Sequence, residues 1–153
     1  MILETINSPN DLKKLNISEM ELLSQEIRDV IIKKTSEKGG HLGSNLGIVE
    51  LTIAIHYVFD SPLDQIILDV SHQSAPHKIL TGRKEAFSDS SKYGTISGFT
   101  NPDESAHDLF NIGHTLSHNP QLIHFSLSIF GYLNPFSSSI ISIAFLGHLL
   151  KQA

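Results

Sequence analysis

Apolar residues recur through the first half of the chain at spacings that make one-sided helices. Ser8-Pro9-Asn10-Asp11 combines a capping hydroxyl, a proline at the first helical position and an acid in the first turn, which predicts a short helix. Ser18-Glu19-Met20-Glu21 reads as a second capping box. It opens a longer helix to about Lys38, with Leu23, Ile27, Val30 and Ile31 on one face. Lys33, Lys34 and Lys38 suit the negative end of that helix, and Gly39 suits its termination. Leu46, Val49, Ile53, Ala54 and Tyr57 predict another helix ending near Phe59. The run QIILDV, residues 65–70, is short, apolar and rich in Ile, and reads as a buried, parallel strand. Pro76 can start a helix through about Thr81, with Gly82 ending it. Residues 88–106 are rich in Ser, Gly, Asn, Asp and Pro and read as a long loop, and residues 108–112 as a second strand. Helices alternating with short strands predict an α/β fold, parallel strands flanked by helices.

The pattern changes after residue 108. Of 27 charged residues only Lys151 lies beyond that point, and residues 109–150 hold no Asp, Glu, Lys or Arg. The segment FSLSIFGYLNPFSSSIISIAFL is biased toward serine and large apolar side chains, with no charged face. The whole chain is 40% hydrophobic and 18% charged, which marks a globular protein. Its net charge of −5 argues against a nucleic-acid surface, so no nucleic-acid partner is expected. With no cysteine there can be no disulfide or thiolate metal site. That fits a reducing cytosol, and a cytoplasmic location is expected. The N-terminus MILETINSPNDLKK lacks the basic and apolar regions of a secretory signal.

The stretch GGHLGSNLG, residues 39–47, is the strongest candidate for chemistry. A plain connector needs one glycine; four let backbone approach a bound group or adopt positive φ. His41 sits inside this loop, His72 follows the strand at residues 65–70, and His114 follows the strand expected at residues 108–112. Ligands in open α/β sheets bind beyond the carboxyl ends of strands. Two readings stand. The three are unrelated surface histidines, or they converge on one pocket where imidazole serves an anion or a proton. A histidine metal site is a weaker rival. His72 and His77 are five apart and His114 and His118 four apart, but Pro120 follows and no third ligand is suitably spaced. No G-x-S-x-G, Walker or Rossmann glycine pattern occurs.

These motifs carry a family resemblance. The run GGHLGSNLGIVELTIAIHYVFDSPLDQIILDVSHQSAPHKILTGRKEAF, with SGF and DESAHDLFNIGHT after it and LETINSPNDLKKL before it, resembles the N-terminal part of the 1-deoxy-D-xylulose-5-phosphate synthases. These are transketolase-like thiamine diphosphate enzymes, and the resemblance covers about residues 3–115. It implies a partial thiamine diphosphate-binding domain of transketolase type. It also implies a transferase that condenses pyruvate with glyceraldehyde 3-phosphate, releasing carbon dioxide, toward isoprenoid and thiamine precursors. The family works as a homodimer with thiamine diphosphate and Mg2+. By motif, His41 matches the active-site histidine near the reacting carbon, and His72 with Gly113, His114 and Thr115 match residues lining the cofactor site. Glycines that admit close approach and imidazoles that serve a diphosphate or a proton agree with those roles.

The departures are equally specific. The family's Gly-His-Gln is here Ser71-His72-Gln73, and a serine there costs about 1 kcal/mol or more if the position takes positive φ. The family's Ala-Tyr-Pro-His-Lys is Ser74-Ala75-Pro76-His77-Lys78, without the aromatic ring. After Thr115 the resemblance stops, and the family's magnesium-binding Gly-Asp-Gly and downstream asparagine are not found, so no metal ligands are assigned. The family's catalytic glutamate belongs to a later domain.

The expected organisation is a truncated thiamine diphosphate-binding domain at residues 1–115 and a divergent apolar tail at residues 116–153. The tail has three readings. It spans a membrane, although each apolar run is too short alone; it is a buried core that needs a covering partner; or it is translated out of frame. Simultaneous loss of charge and resemblance favours the last. On that reading the chain alone is inactive, a relic or a binding module that pairs with another chain. Sequencing the nucleotides beyond the Thr115 codon should then reveal, in another frame, a small-residue helix and an apolar strand ending in Gly-Asp-Gly. Three frames without that pattern would exclude the frameshift.

Overall fold

The computed structural model describes residues 1–109 and the backbone strand Ile140–Ile143. The described residues are mostly helical. Helix α3, Ile17–Lys38, is the central element and buries Leu23, Ser24, Ile27 and Ile31. Its cap is Asn16 rather than Ser18. The Asn16 side chain accepts from the Glu19 N–H at 3.0 Å, and the Glu19 carboxylate accepts from the Asn16 N–H at 2.8 Å. Asparagine two positions earlier forms its box with Glu19 instead of Glu21, and this moves the predicted start. The end is as expected, with Gly39 at φ +73° donating to the Thr35 carbonyl at 2.9 Å.

Helix α2, Pro9–Leu12, forms behind Ser8, and the Asp11 carboxylate accepts from the Ser8 N–H at 3.0 Å. A further helix, α1, Ile2–Thr5, precedes it. Four residues do not hold a helix alone. Here both ends are tied to distant side chains. Glu26 accepts from the N–H groups of Ile2 and Leu3 at 3.1 and 2.7 Å, and the Lys84 ammonium donates to the carbonyls of Leu3 and Ile6 at 3.1 and 2.8 Å.

After the glycine loop come α4, Gly43–Leu46, and α5, Val49–Val58. The expected face of α5 is rotated: Ala54 and Tyr57 are exposed, whereas Val49, Thr52, Ile53, Ile55 and His56 are buried. The reason is that α5 is covered on two sides. Val49 and Ile53 join the main core with Leu12, Leu23, Ile27, Ile79, Leu80 and Phe87, and Ile55 packs with Ile66 and Leu68. A two-sided helix loses the single-stripe pattern.

Strand β1, Gln65–Leu68, supplies Ile66 and Leu68. It pairs in parallel with β2, Ile140–Ile143, in the register Gln65 to Ile140 through Leu68 to Ile143. The strand stops before the expected residue 70, because Val70 and Ser71 take φ of +60° and +58°. Asp108 and Leu109 lie outside any strand, and residues 110–112 of the expected second strand fall outside the described residues. Helix α6, Ala75–Lys78, runs into a distorted turn, Ile79–Arg83, broken at Gly82 with φ +88°, and α7, Glu85–Ser88, follows.

A buried polar network ties these pieces together. Asp108, 3% exposed, accepts two Arg83 hydrogen bonds at 2.7 Å each, one from the Asn101 N–H at 2.7 Å and one from His77 Nε2 at 3.2 Å. His77 Nδ1 lies 2.9 Å from His56 Nε2. With both rings neutral, Asp108 dictates the tautomers: His77 carries its proton on Nε2, so its Nδ1 accepts from His56 Nε2–H. His56 Nδ1 is then a buried acceptor with no partner. Beside them Lys78, 1% exposed, donates to Glu104 at 2.8 Å and to the Ser97 carbonyl at 2.9 Å. Burial pushes Asp108 up, but the hydrogen bonds from His77 and Arg83 outweigh it and hold the carboxyl well below the usual range.

Burial, with His77 and His107 nearby, pushes His56 from 6.5 down to about 2. Below about pH 6.5 the unfolded chain takes up this proton and the folded chain does not, so stability falls as pH drops. Between pH 7.5 and 5.5 His56 should remove about 1.4 kcal/mol, a loss absent from His56→Phe. Asp108 has the depressed, acid-side sign and stays fully ionised in that window in both states, contributing only as pH approaches about 4. Urea midpoints of the two proteins at the two pH values check this. An equal pH loss in both would contradict it.

Candidate functional site

The glycine loop and the turn after β1 face each other across one cavity. The chain leaves α3 through Gly39 at φ +73° and Gly40 at φ +129°, the second conformation being open to glycine alone. This places His41 beside His72, ring centroids 5.5 Å apart with the planes at 74°. The cavity has a volume of about 280 Å³. Its wall is formed by the glycine loop with Asn45, by His72, Ser74 and Ala75, by Lys34 and Phe87, and by Ser97-Gly98-Phe99. It is therefore lined by imidazoles, hydroxyls, backbone and aromatic rings, with no carboxylate among the lining residues.

One amide holds the two histidine segments together. Asn45 is buried, and its Nδ2 donates to the carbonyls of both His41 and His72, the latter at 3.0 Å. Its Oδ1 accepts from the Ala75 N–H at 2.9 Å. The Ser44 hydroxyl adds a second donor to the His72 carbonyl at 3.2 Å. A side chain presenting two donors and an acceptor in this geometry is an amide.

The turn before His72 is strained. Two consecutive non-glycine residues at positive φ are unusual, and for β-branched Val70 the conformation is an outlier. Ser71 occupies the positive-φ position at which its cost was anticipated. Its buried hydroxyl lies 2.6 Å from Thr100 Oγ1 and donates to the Leu68 carbonyl at 3.2 Å, bonds a glycine could not make. Gln73 adds a donor to the Asp69 carbonyl at 3.0 Å. The turn is over-determined by its surroundings, as strained functional loops are.

Of the residues singled out from sequence, His41 and His72 are brought together. Gly113, His114 and Thr115 lie outside the described residues, as do His118, His124 and His148. His77, considered with His72 as a metal pair, points instead into the Asp108 network. Asn45 was missed as a functional residue. The signal was a polar amide in a loop otherwise made of small and apolar residues, but its partners are set only by the fold. Lys34 joins the cavity without any local motif, and Ser97-Gly98-Phe99, the SGF of the family resemblance, joins it from a distant segment.

Comparison with known proteins identifies relatives. The model of a family described as 1-deoxy-D-xylulose-5-phosphate synthase matches residues 3–119. The 1-deoxy-D-xylulose-5-phosphate synthase of Syntrophomonas wolfei is 58% identical over 114 residues, 74% of this chain and 18% of that protein. The proteins of that name from Caldanaerobacter subterraneus and Thermus thermophilus are 55% and 54% identical over the same shares. The chain thus spans under a fifth of the length of the curated relatives it matches, 18% in each case.

The Asn45 clamp makes a graded prediction. Asn45→Ala should destabilise the fold by about 1–3 kcal/mol by leaving the Ala75 N–H and the buried carbonyls underpaired. Asn45→Asp should cost more, although it keeps the acceptor for Ala75, because a carboxylate oxygen then faces the His41 and His72 carbonyls. Denaturant midpoints rank the variants. An aspartate variant as stable as the wild type would remove the clamp from the argument.

Proposed function

The chain belongs to the 1-deoxy-D-xylulose-5-phosphate synthase family, and from that premise we propose that its described residues form one wall of a thiamine diphosphate and substrate site. The observation that carries this reading is the convergence of His41 and His72, 5.5 Å apart, on a cavity without carboxylates. That donor set fits an anionic cofactor. When bound, thiamine diphosphate supplies the carbanion chemistry of the reaction. His72, with Gly113, His114 and Thr115 by motif, holds the cofactor. His41 sits beside the substrate, where its imidazole holds or moves a proton. Asn45 fixes the backbone of both histidines. The surrounding fold is an α/β sheet with parallel strands, extending the β1–β2 pair.

The reaction served is the condensation of pyruvate with glyceraldehyde 3-phosphate with loss of carbon dioxide, in a homodimeric cytoplasmic enzyme. Among the described residues no group of three or more His, Asp or Glu is placed to hold a metal ion, so no step is assigned to magnesium. Among them, too, no helix is long and apolar enough to cross a membrane. The 153 residues contain no Gly-Asp-Gly. They alone are proposed to bind without turning over, and residues 116–153 are proposed as a divergent apolar segment, of which Ile140–Ile143 pairs with β1.

The test has two readouts. The purified chain, titrated with thiamine diphosphate in a calorimeter, should bind it, and His72→Ala should weaken binding at least tenfold. The same chain with pyruvate, thiamine diphosphate and magnesium should release no carbon dioxide above a protein-free blank. Undiminished binding by His72→Ala would overturn the site, and turnover by the wild type would overturn the inactivity.

A further inference from the structure

Lys34 is a cation that no carboxylate neutralises among the described residues. It lies on α3, five positions before Gly39, and lines the cavity with its ammonium 3.9 Å from the centre of the Phe87 ring. The other lysine of the cavity wall, Lys78, differs: it is committed to Glu104 and the Ser97 carbonyl. Lys34 has neither an ion pair nor a hydrogen bond there. A lysine near a helix C-terminus often serves the terminal carbonyls, but the Thr35 carbonyl is taken by the Gly39 N–H. Gly40 and His41 line the same cavity. Burial, and then the charge of Lys78, pushes the Lys34 ammonium down, so a nearby negative charge would restore it.

We propose that Lys34 marks an oxyanion site: a carboxylate or phosphate group of a small molecule enters the cavity and sets its charge against the Lys34 ammonium and the N–H groups of Gly40 and His41. A volume of about 280 Å³ suits a small anion or the charged end of a larger ligand. The aromatic face of Phe87 holds the ammonium in place when no anion is present. This inference deepens the cofactor and substrate reading of the same cavity, because none of the family motifs includes Lys34, and it names what that wall recognises.

The experiment titrates the purified full chain with inorganic phosphate and, separately, with acetate, following amide resonances of Gly40 and His41 and the heat of binding. Saturable binding of either anion, weakened at least tenfold in Lys34→Met, retained in Lys34→Arg and retained in Lys33→Met at the exposed neighbouring position, supports the site. Which anion saturates identifies the carrier as a phosphate or a carboxylate. Saturation by neither anion overturns it, and so does equal binding in Lys34→Met. If Lys34→Met loses its fold by circular dichroism, Lys34→Gln replaces it against the same arginine variant. Thiamine diphosphate binding without phosphate or acetate binding would remove the Lys34 site and leave the cofactor reading intact. Lys34-dependent anion binding without thiamine diphosphate binding would do the reverse.

Discussion

A single buried carboxylate organises the second half of the described structure. Asp108 is buried, so the chain must bring donors to its charge. Arg83 supplies a bidentate pair, Asn101 a backbone N–H, and His77 an imidazole N–H. Each donor comes from a different piece: the distorted turn after α6, the long loop, and α6 itself. Satisfying one charge therefore fixes where α6 sits relative to the loop at residues 97–108. Lys78, next to His77 on α6, completes the arrangement by anchoring Glu104 and the Ser97 carbonyl. Removing the carboxylate would leave Arg83, rather than merely a gap, to be accommodated in a poorly hydrated site.

The cavity depends on this arrangement. Its floor includes Ser74 and Ala75 at the start of α6, and its rim includes Ser97-Gly98-Phe99. The Ser74 hydroxyl donates to the Gly98 carbonyl at 3.2 Å, joining floor to rim. Asn45 then fastens the glycine loop to the same floor. Strain at Val70 and Ser71 persists because the segments on either side are held: β1 by its packing on α5, and His72 by Ser44 and Asn45. The position of the histidine pair is thus a property of the whole fold rather than of the loops that carry it.

Much of this was legible in the sequence, and the exceptions have physical causes. The long helix, its glycine stop, the short strand and the polar turn after it follow from local pattern and capping. Helix α1 was not legible, because its caps are Glu26 and Lys84, distant along the chain. The buried face of α5 was misjudged because a helix covered on two sides shows no single stripe, and His56 replaced Tyr57 inside. The start of α3 shifted by two residues because Asn16 and Ser18 both make plausible caps, and only geometry chooses between them. The meeting of His41 and His72 is part of one of two readings, in which His114, outside the described residues, joins them. The Asn45 amide that enforces the meeting was not legible, since an asparagine in a loop carries no mark of what it will bond.

The histidines show how environment, not residue type, assigns chemistry. His56 and His77 stack with centroids 5.0 Å apart, fully buried, and their protons are dictated by Asp108. A ring in that position cannot exchange a proton with a ligand without breaking the network that orients α6. His41 is exposed and His72 partly so, edge to face at the mouth of a cavity, with their backbone rather than their rings held by Asn45. The Asn45 bonds to both carbonyls fix where the two imidazoles stand. The same chain therefore uses one histidine pair as a buried strut and places the other on a cavity wall.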